Sequence, residues 1–182
     1  MVFASDTIAV LEAAVFLANS RLGEDTLTSL ADLEDFYDAR SYSGARPNPG
    51  DLEGVRSIRG TLHQLLTAGR DDAAGLVNTI LAEANATPQL ARHSGIDWHI
   101  HAWLDDAPFH TRILAETAMG MIDVIRADEM SRLSRCAAAD CTGIVLDLSR
   151  NRSRKYCSTA CTNREAVAAY RARQSDSGQL GA

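Results

Sequence analysis

Cysteine is absent from the first 135 residues of this 182-residue chain, which removes a disulfide framework as the means of holding that part together. Aromatic residues make up only 5%, so the core has to be built from Ala, Leu, Val and Ile. No stretch reaches the roughly 18 charge-free apolar residues of a membrane span. The apolar start is broken by Asp6 and Glu12 and carries no basic residue before Arg21, so a secretory leader is not expected. There is no glycine-rich phosphate loop and no serine nucleophile elbow. What remains has globular proportions, 46% hydrophobic and 23% charged, and a soluble cytoplasmic protein is the expectation.

Charge is unevenly divided along the chain. The net charge of -6 hides an acidic stretch over residues 1–130, at -11, and a basic one over residues 131–173, at +6. A basic module behind an acidic body points to a nucleic-acid-facing tail; a tail that docks on the acidic body is the plainer alternative.

Four helices are predicted before residue 87. The first is capped by Asp6 or Thr7, lines up Ile8, Leu11, Val15 and Ala18, and ends at Gly23. A second uses Leu30, Leu33, Phe36 and Tyr37, followed by a loop from Ser41 to Gly50. A third runs from Asp51 to Gly69 with Leu52, Val55, Ile58, Leu62, Leu65 and Leu66 inward. A fourth, capped by Asp71 or Asp72, packs Leu76, Val77, Ile80, Leu81 and Ala84. The pattern then changes to a small hairpin, Gln89 to His93 and Asp97 to Leu104 around Ser94-Gly95. In it Trp98, Ile100 and Ala102 alternate with His99, His101 and Trp103. A long helix from about Ala107 carries Ile113, Leu114, Ala118, Met121, Ile122, Ile125 and Met130 at helical spacing, and is expected to run directly into the basic module. Residues after Gln174 are Ser-, Gly- and Asp-rich and read as a flexible tail.

All four cysteines fall in the basic module as Cys136-x4-Cys141, fifteen residues, then Cys157-x3-Cys161. Two close pairs around a short insert suit a tetrahedral zinc site, since each pair offers two sulfurs from one tight turn. About 45 residues bury too little apolar surface to fold unaided, so a staple is expected. Disulfides are the competing staple, disfavoured without a secretory leader. Cys136 and Cys141 bracket a knuckle, Gly143 to Ser149 reads as a strand, Lys155-Tyr156 as a second strand, and Ser158 or Thr159 caps a helix holding Cys161. That order is the treble-clef plan, and the helix N-terminus favours thiolates. Four sulfurs would fill the metal's shell, and the last histidine is His110, so the site reads as structural rather than hydrolytic. Arg150, Arg152, Arg154 and Lys155 precede the second cysteine pair, and Arg164, Arg171 and Arg173 follow it on the helix. Arg meets phosphate bidentately, so these seven are the candidate nucleic-acid contacts; a solvated or protein-docking face is the alternative.

The run Leu148-Ser149-Arg150-Asn151-Arg152-Ser153-Arg154-Lys155-Tyr156-Cys157, with Cys161-x-Asn163-Arg164 after it, resembles the CGNR zinc-finger family. Thr162 stands where that family has the glycine of its name, and Tyr156 where it usually has Trp. If the glycine has positive φ there, the turn must differ in this chain. Proteins of that family usually pair the finger with an N-terminal ABATE domain of stress-induced transcription regulators. Leu17 to Ser20, Ile58 to Leu66 and Val77 to Leu81 are loosely similar to that domain. The resemblance implies one structural zinc ion on Cys136, Cys141, Cys157 and Cys161, and it singles out Asn19, Arg59 and Asn78 as a ligand pocket. Arg59 borders the inward stripe of its helix, where a guanidinium needs an anionic partner, either a carboxylate of this chain or a bound acid. His99-x-His101 offers a metal pair if the rings share a face, although no third ligand is evident.

The expected fold is therefore mainly α with a small β-hairpin. It comprises an ABATE-like helical domain over 1–130, a treble-clef-like four-cysteine finger over 131–174 and a tail over 175–182. The expected function is a non-enzymatic, DNA-binding transcription regulator whose body senses a small acidic ligand, with a homodimer as a further expectation. The alternative is a zinc-stabilised protein-interaction adaptor without nucleic-acid binding.

Overall fold

In the computed structural model the described residues are 3–40, 42, 44–92, 98–102 and 106–179, with side chains to 174. The body is a packed set of helices: α1 (Ser5–Asn19), α2 (Leu30–Ala39), α3 (Asp51–Ser57), α4 (Arg59–Thr67), α5 (Arg70–Glu83) and α6 (Phe109–Arg126). A two-stranded antiparallel hairpin, β1 (Gln89–Ala91) with β2 (His99–His101), lies between α5 and α6. No helix among the described residues is long and apolar enough to cross a membrane.

Helix α1 is the centre of the bundle. It packs on α6, on α4 and on the C-terminal module, which is why Leu11, Ala13, Ala14, Leu17 and Ala18 are all buried rather than one narrow stripe. Gly120 of α6 permits the close crossing, since a Cβ there would sit 2.6 Å from Val10 Cγ2. Helix α2 starts from a capping box, with Ser29 and Asp32 each satisfying the other's backbone N–H. The aromatic residues are few but gathered: Phe36, Tyr37, Tyr42 and Phe109 form a cluster with ring-centroid contacts of 5.1 to 6.4 Å.

Two expectations for the body change. The single helix predicted from Asp51 to Gly69 is two helices, with a break at Ile58. The Ser57 hydroxyl donates to the Gly54 carbonyl at 2.7 Å, occupying the acceptor that the Ile58 N–H would use in a continuous helix. Around β2, Trp98 and Ile100 are exposed at 63% and 50% while Ala102 is buried. The turn at Ser94-Gly95, and His93, Asp97, Trp103 and Leu104, lie outside the described residues. Finally, α6 does not run into the cysteine module. It ends at Arg126, Asp128 turns the chain with φ 57°, and a single 3-10 turn over Met130–Arg132 leads onward.

The module begins with β3 (Leu133–Arg135), paired antiparallel with β4 (Ile144–Leu146), and ends in α7 (Thr159–Gln179). The partner of β4 is thus the segment before the first cysteine. Lys155-Tyr156, expected as the second strand, is irregular chain. Leu133, Ile144 and Leu146 are buried in the same apolar core as α1 and α4. Each such side chain contributes about 2 kcal/mol, so this hairpin is fastened to the body and does not depend on a metal alone. Helix α7 continues to Gln179, past the expected boundary at 174, and residues 180–182 lie outside the described residues.

Candidate metal centre and nucleic-acid interface

The four cysteines arrive from two directions. β3 delivers Cys136, whose N–H donates to the Gly143 carbonyl at 2.7 Å. The chain then turns so that the Gly143 N–H points back at Cys141 Sγ, 3.4 Å away. The second pair comes from the loop after β4. Ala137 donates to the Lys155 carbonyl at 2.9 Å, drawing that loop beside the knuckle, and the Cys157 N–H faces Cys136 Sγ at 3.4 Å. Ser158 accepts from the Cys161 N–H at 3.2 Å and starts α7 with Cys161 in its first turn.

All four sulfurs lie within 4.8 Å of one another, with Cys141–Cys157 at 3.6 Å and Cys157–Cys161 at 3.8 Å. A tetrahedron of sulfurs at about 2.3 Å from a zinc ion has edges of about 3.8 Å, so the donor set fits one such ion. The charge balance agrees. Burial pushes the Cys136 thiol up, but N–H groups of Ala138 and Cys157 outweigh it and bring it down to about 7. Burial and the three neighbouring sulfurs push Cys157 far up. Four thiolates therefore coexist here only around a cation. Cys136, Cys141, Cys157 and Cys161 would hold one zinc ion with no position left open, which closes the fold and leaves no site for activating water.

The centre is docked, not suspended. The Asn19 carboxamide at the end of α1 bonds both backbone groups of Ile144. His63 Nε2 of α4 meets the Thr142 carbonyl at 2.9 Å. Gly143 lies between metal site and body, where a Cβ would be 2.8 Å from both Cys157 Sγ and Leu22 Cδ1.

The seven basic candidates divide by what they already touch. Arg152, in left-handed backbone at φ 47°, donates to Glu129 and to Ser131 Oγ, each at 2.7 Å. Arg164 reaches Cys161 Sγ at 3.5 Å, as a neighbour of the metal would. Arg154 Nε meets the Tyr156 carbonyl at 3.5 Å. Arg150, Lys155 and Arg171 are exposed and their side chains have no hydrogen-bond or ion-pair partner among the described residues. Arg173 is also exposed, on α7. Beyond Cys161 this helix is exposed along nearly its whole described length, including Val167 and Tyr170. Thr162 is ordinary helix, its N–H bonded to the Ser158 carbonyl, so no glycine is needed at that position.

Asn19, Arg59 and Asn78 take up three separate environments. Asn19 faces Ile144, Asn78 is exposed on α5, and buried Arg59 forms a bidentate pair with Asp25 at 2.8 and 2.9 Å. The anion beside Arg59 is thus a carboxylate of this chain. His99 and His101 do share a face, with Nε2 atoms 2.7 Å apart. Among the described residues, the four cysteines are the one cluster of metal-ligating side chains.

The residues that the sequence reading missed are the organisers of the basic loop. Arg132, buried, donates to Glu129 Oε2 and to the Asp147 and Ser149 carbonyls. Asp147, also buried, accepts from the Ser149 and Arg154 N–H groups. Burial pulls the Asp147 carboxyl upward, but these donors hold it below the usual value. The only advance signal was an acid among many arginines.

With that geometry in place, two family models match the chain. One described as "Putative stress-induced transcription regulator", the ABATE domain, matches residues 11–128, and one described as "CGNR zinc finger" matches residues 132–174. Neither description names an enzymatic activity. No curated protein matches the chain.

Proposed function

Starting from a chain that belongs to the ABATE family and ends in a CGNR zinc finger, we propose that it is a cytoplasmic, DNA-binding transcription regulator. The finger grips phosphate, and the helical body sets the finger's position. The observation that carries this is α7: a long, exposed helix that leaves the metal site with Arg164, Arg171 and Arg173 along it. An isolated helix of this kind is marginal in water and gains most from a partner that its basic side chains match. Arg150 and Lys155, on the loop beside the helix start, extend the same cationic surface.

Arg152 has a different part in this reading. Its pairing with Glu129 shapes the loop that presents Arg150, so it positions contacts rather than making them. Because hairpin and body share a core, a change in the body reaches the finger through α1, α4 and β4.

Fluorescence anisotropy of labelled duplex DNA with the zinc-loaded full chain, across a salt series, tests the proposal. If Arg150, Lys155 and Arg171 each neutralise one phosphate, log affinity falls with log salt at a slope of about -2.7. Substituting all three by Ala should flatten the slope and leave the fold intact. No binding at low salt would favour the protein-interaction adaptor, for which exposed Val167 and Tyr170 are the apolar contacts.

A further inference from the structure

Away from the metal centre, a cavity of about 420 Å³ opens between the N-terminal half of α1, one face of α6 and strand β2. Its walls are largely apolar, from Val10, Tyr42, Ile100 and Met119. That volume and lining are those of a small-molecule site. The polar groups of the lining include three acids, Asp6, Glu116 and Asp123. Asp6 already accepts from the Thr7 N–H at 2.8 Å, and Asp123 from the Thr7 hydroxyl at 2.6 Å. Glu116, seven residues before Asp123 on the same face of α6, makes no hydrogen bond or ion pair with any described residue. Two arginines also line the cavity. Arg40 is held by Glu12 at 3.7 Å and lies over the Phe16 ring, while Arg126 is exposed in the last turn of α6.

We propose that this cavity binds a small organic ammonium ion with an apolar tail, its N–H groups on the Glu116 carboxylate and its tail against Val10, Met119 and Ile100. An unpartnered carboxyl in an apolar enclosure is the costliest group to leave unmatched, and a bound cation supplies both the charge and the hydrogen-bond donors it lacks. Burial holds Glu116 up at about 8, so a bound cation would draw its proton off. The Tyr42 ring offers a second attraction for the same charge. An anionic ligand finds weaker anchors, because the Arg40 guanidinium in the cavity wall is paired with Glu12 and Arg126 stands exposed at the end of α6. β2 forms one wall, so a ligand here also orders the hairpin.

Isothermal calorimetry on the zinc-loaded full chain, with 2-phenylethylamine and its acidic counterpart 3-phenylpropionate as probes, separates the outcomes. Saturable binding of the amine is expected, weakened by about tenfold or more in Glu116→Gln, with no binding of the acid. Met119→Trp, which fills the cavity, should abolish amine binding while circular dichroism stays that of the wild type. Equal amine affinity in Glu116→Gln, preferential binding of the acid, or no binding of either probe at millimolar concentration each overturns the proposal. None of these outcomes depends on whether the finger binds DNA.

Discussion

The carboxamide of Asn19 closes on the backbone of Ile144 from both sides, Nδ2 donating to its carbonyl and Oδ1 accepting its N–H, each at 2.8 Å. The last residue of α1 thus satisfies both backbone groups at the first position of β4, at the seam between body and finger. Only a side-chain amide offers donor and acceptor in that spacing. Asn19→Asp keeps the acceptor and loses the donor, and should destabilise the chain by about 1 to 2 kcal/mol. Asn19→Ala should in addition speed hydrogen exchange at the Ile144 amide. Exchange at Ile144 equal to that of the wild type would show the clamp to be incidental.

Gly143 is the second fastening. A methyl group there meets Cys157 Sγ and Leu22 Cδ1, both at 2.8 Å, so either the metal-site loop or the body has to yield. Gly143→Ala is expected to lower zinc affinity by about tenfold or more, the range found when groups next to metal ligands are disturbed. Competition with a chromophoric chelator measures it. Gly60→Ala, where an added Cβ meets nothing within 4 Å, is the control and should retain zinc as the wild type does.

Chelation should divide the C-terminal module rather than unfold it whole. Cys157, Cys161 and the start of α7 have few apolar contacts beyond the cysteine cluster itself, whereas Leu133, Ile144 and Leu146 are held in the body core. Removing the metal, or making Cys157→Ser, should lose the helical signal of α7 while β3–β4 amides stay protected from exchange. Loss of protection at β4 together with α7 would instead make the metal the organiser of the entire module.

That division is where the sequence stopped being informative. The cysteine spacing located the metal site, the knuckle, and the helix start at Ser158, because ligand geometry leaves few ways to place two close pairs. Helical periodicity placed α1, α2, α5 and α6 for the same local reason. Periodicity carries no information about a partner across the chain. It could not pair β4 with β3 instead of with Lys155-Tyr156, or show that Ile144 and Leu146 fill the body's core. Arg59 was legible as needing an anion but not as having Asp25, 34 positions away. The cavity at Glu116 was invisible, since its lining comes from α1, α6 and β2 at once.

Asp25 and Arg59 make a pair whose loss should be felt in stability. The Arg59 guanidinium, and then the Leu27 N–H, hold the Asp25 carboxyl down at about 2. Asp25→Asn leaves the buried Arg59 charge uncompensated and should cost about 3 kcal/mol, read from urea denaturation. The sign of the pH effect follows from the depressed value. Asp25 contributes its stabilisation above the unfolded value of 3.8, and loses it as pH falls toward about 2. Acid unfolding in that window should therefore be shallower in Asp25→Asn than in the wild type.

Glu116 carries the opposite sign. Burial raises its carboxyl from 4.5 to about 8, against a smaller lowering influence from Arg112. The other charged or titratable groups at the cavity are Asp123 and Arg126 on α6, Asp6 on α1, Arg40 and Tyr42 after α2, and His99 and His101 on β2. A folded value above the unfolded one means that the native state holds the proton more tightly. The stabilisation is then complete below pH 4.5 and is lost as pH rises through about 8. The loss amounts to a few kcal/mol, since each tenfold difference in proton affinity between the folded and unfolded chain is worth about 1.4 kcal/mol. Glu116→Gln cannot ionise, so its stability relative to the wild type should climb between pH 5 and pH 9. A difference that stays constant across that range would mean the carboxyl is already charged in the native chain, with a cation of the protein beside it.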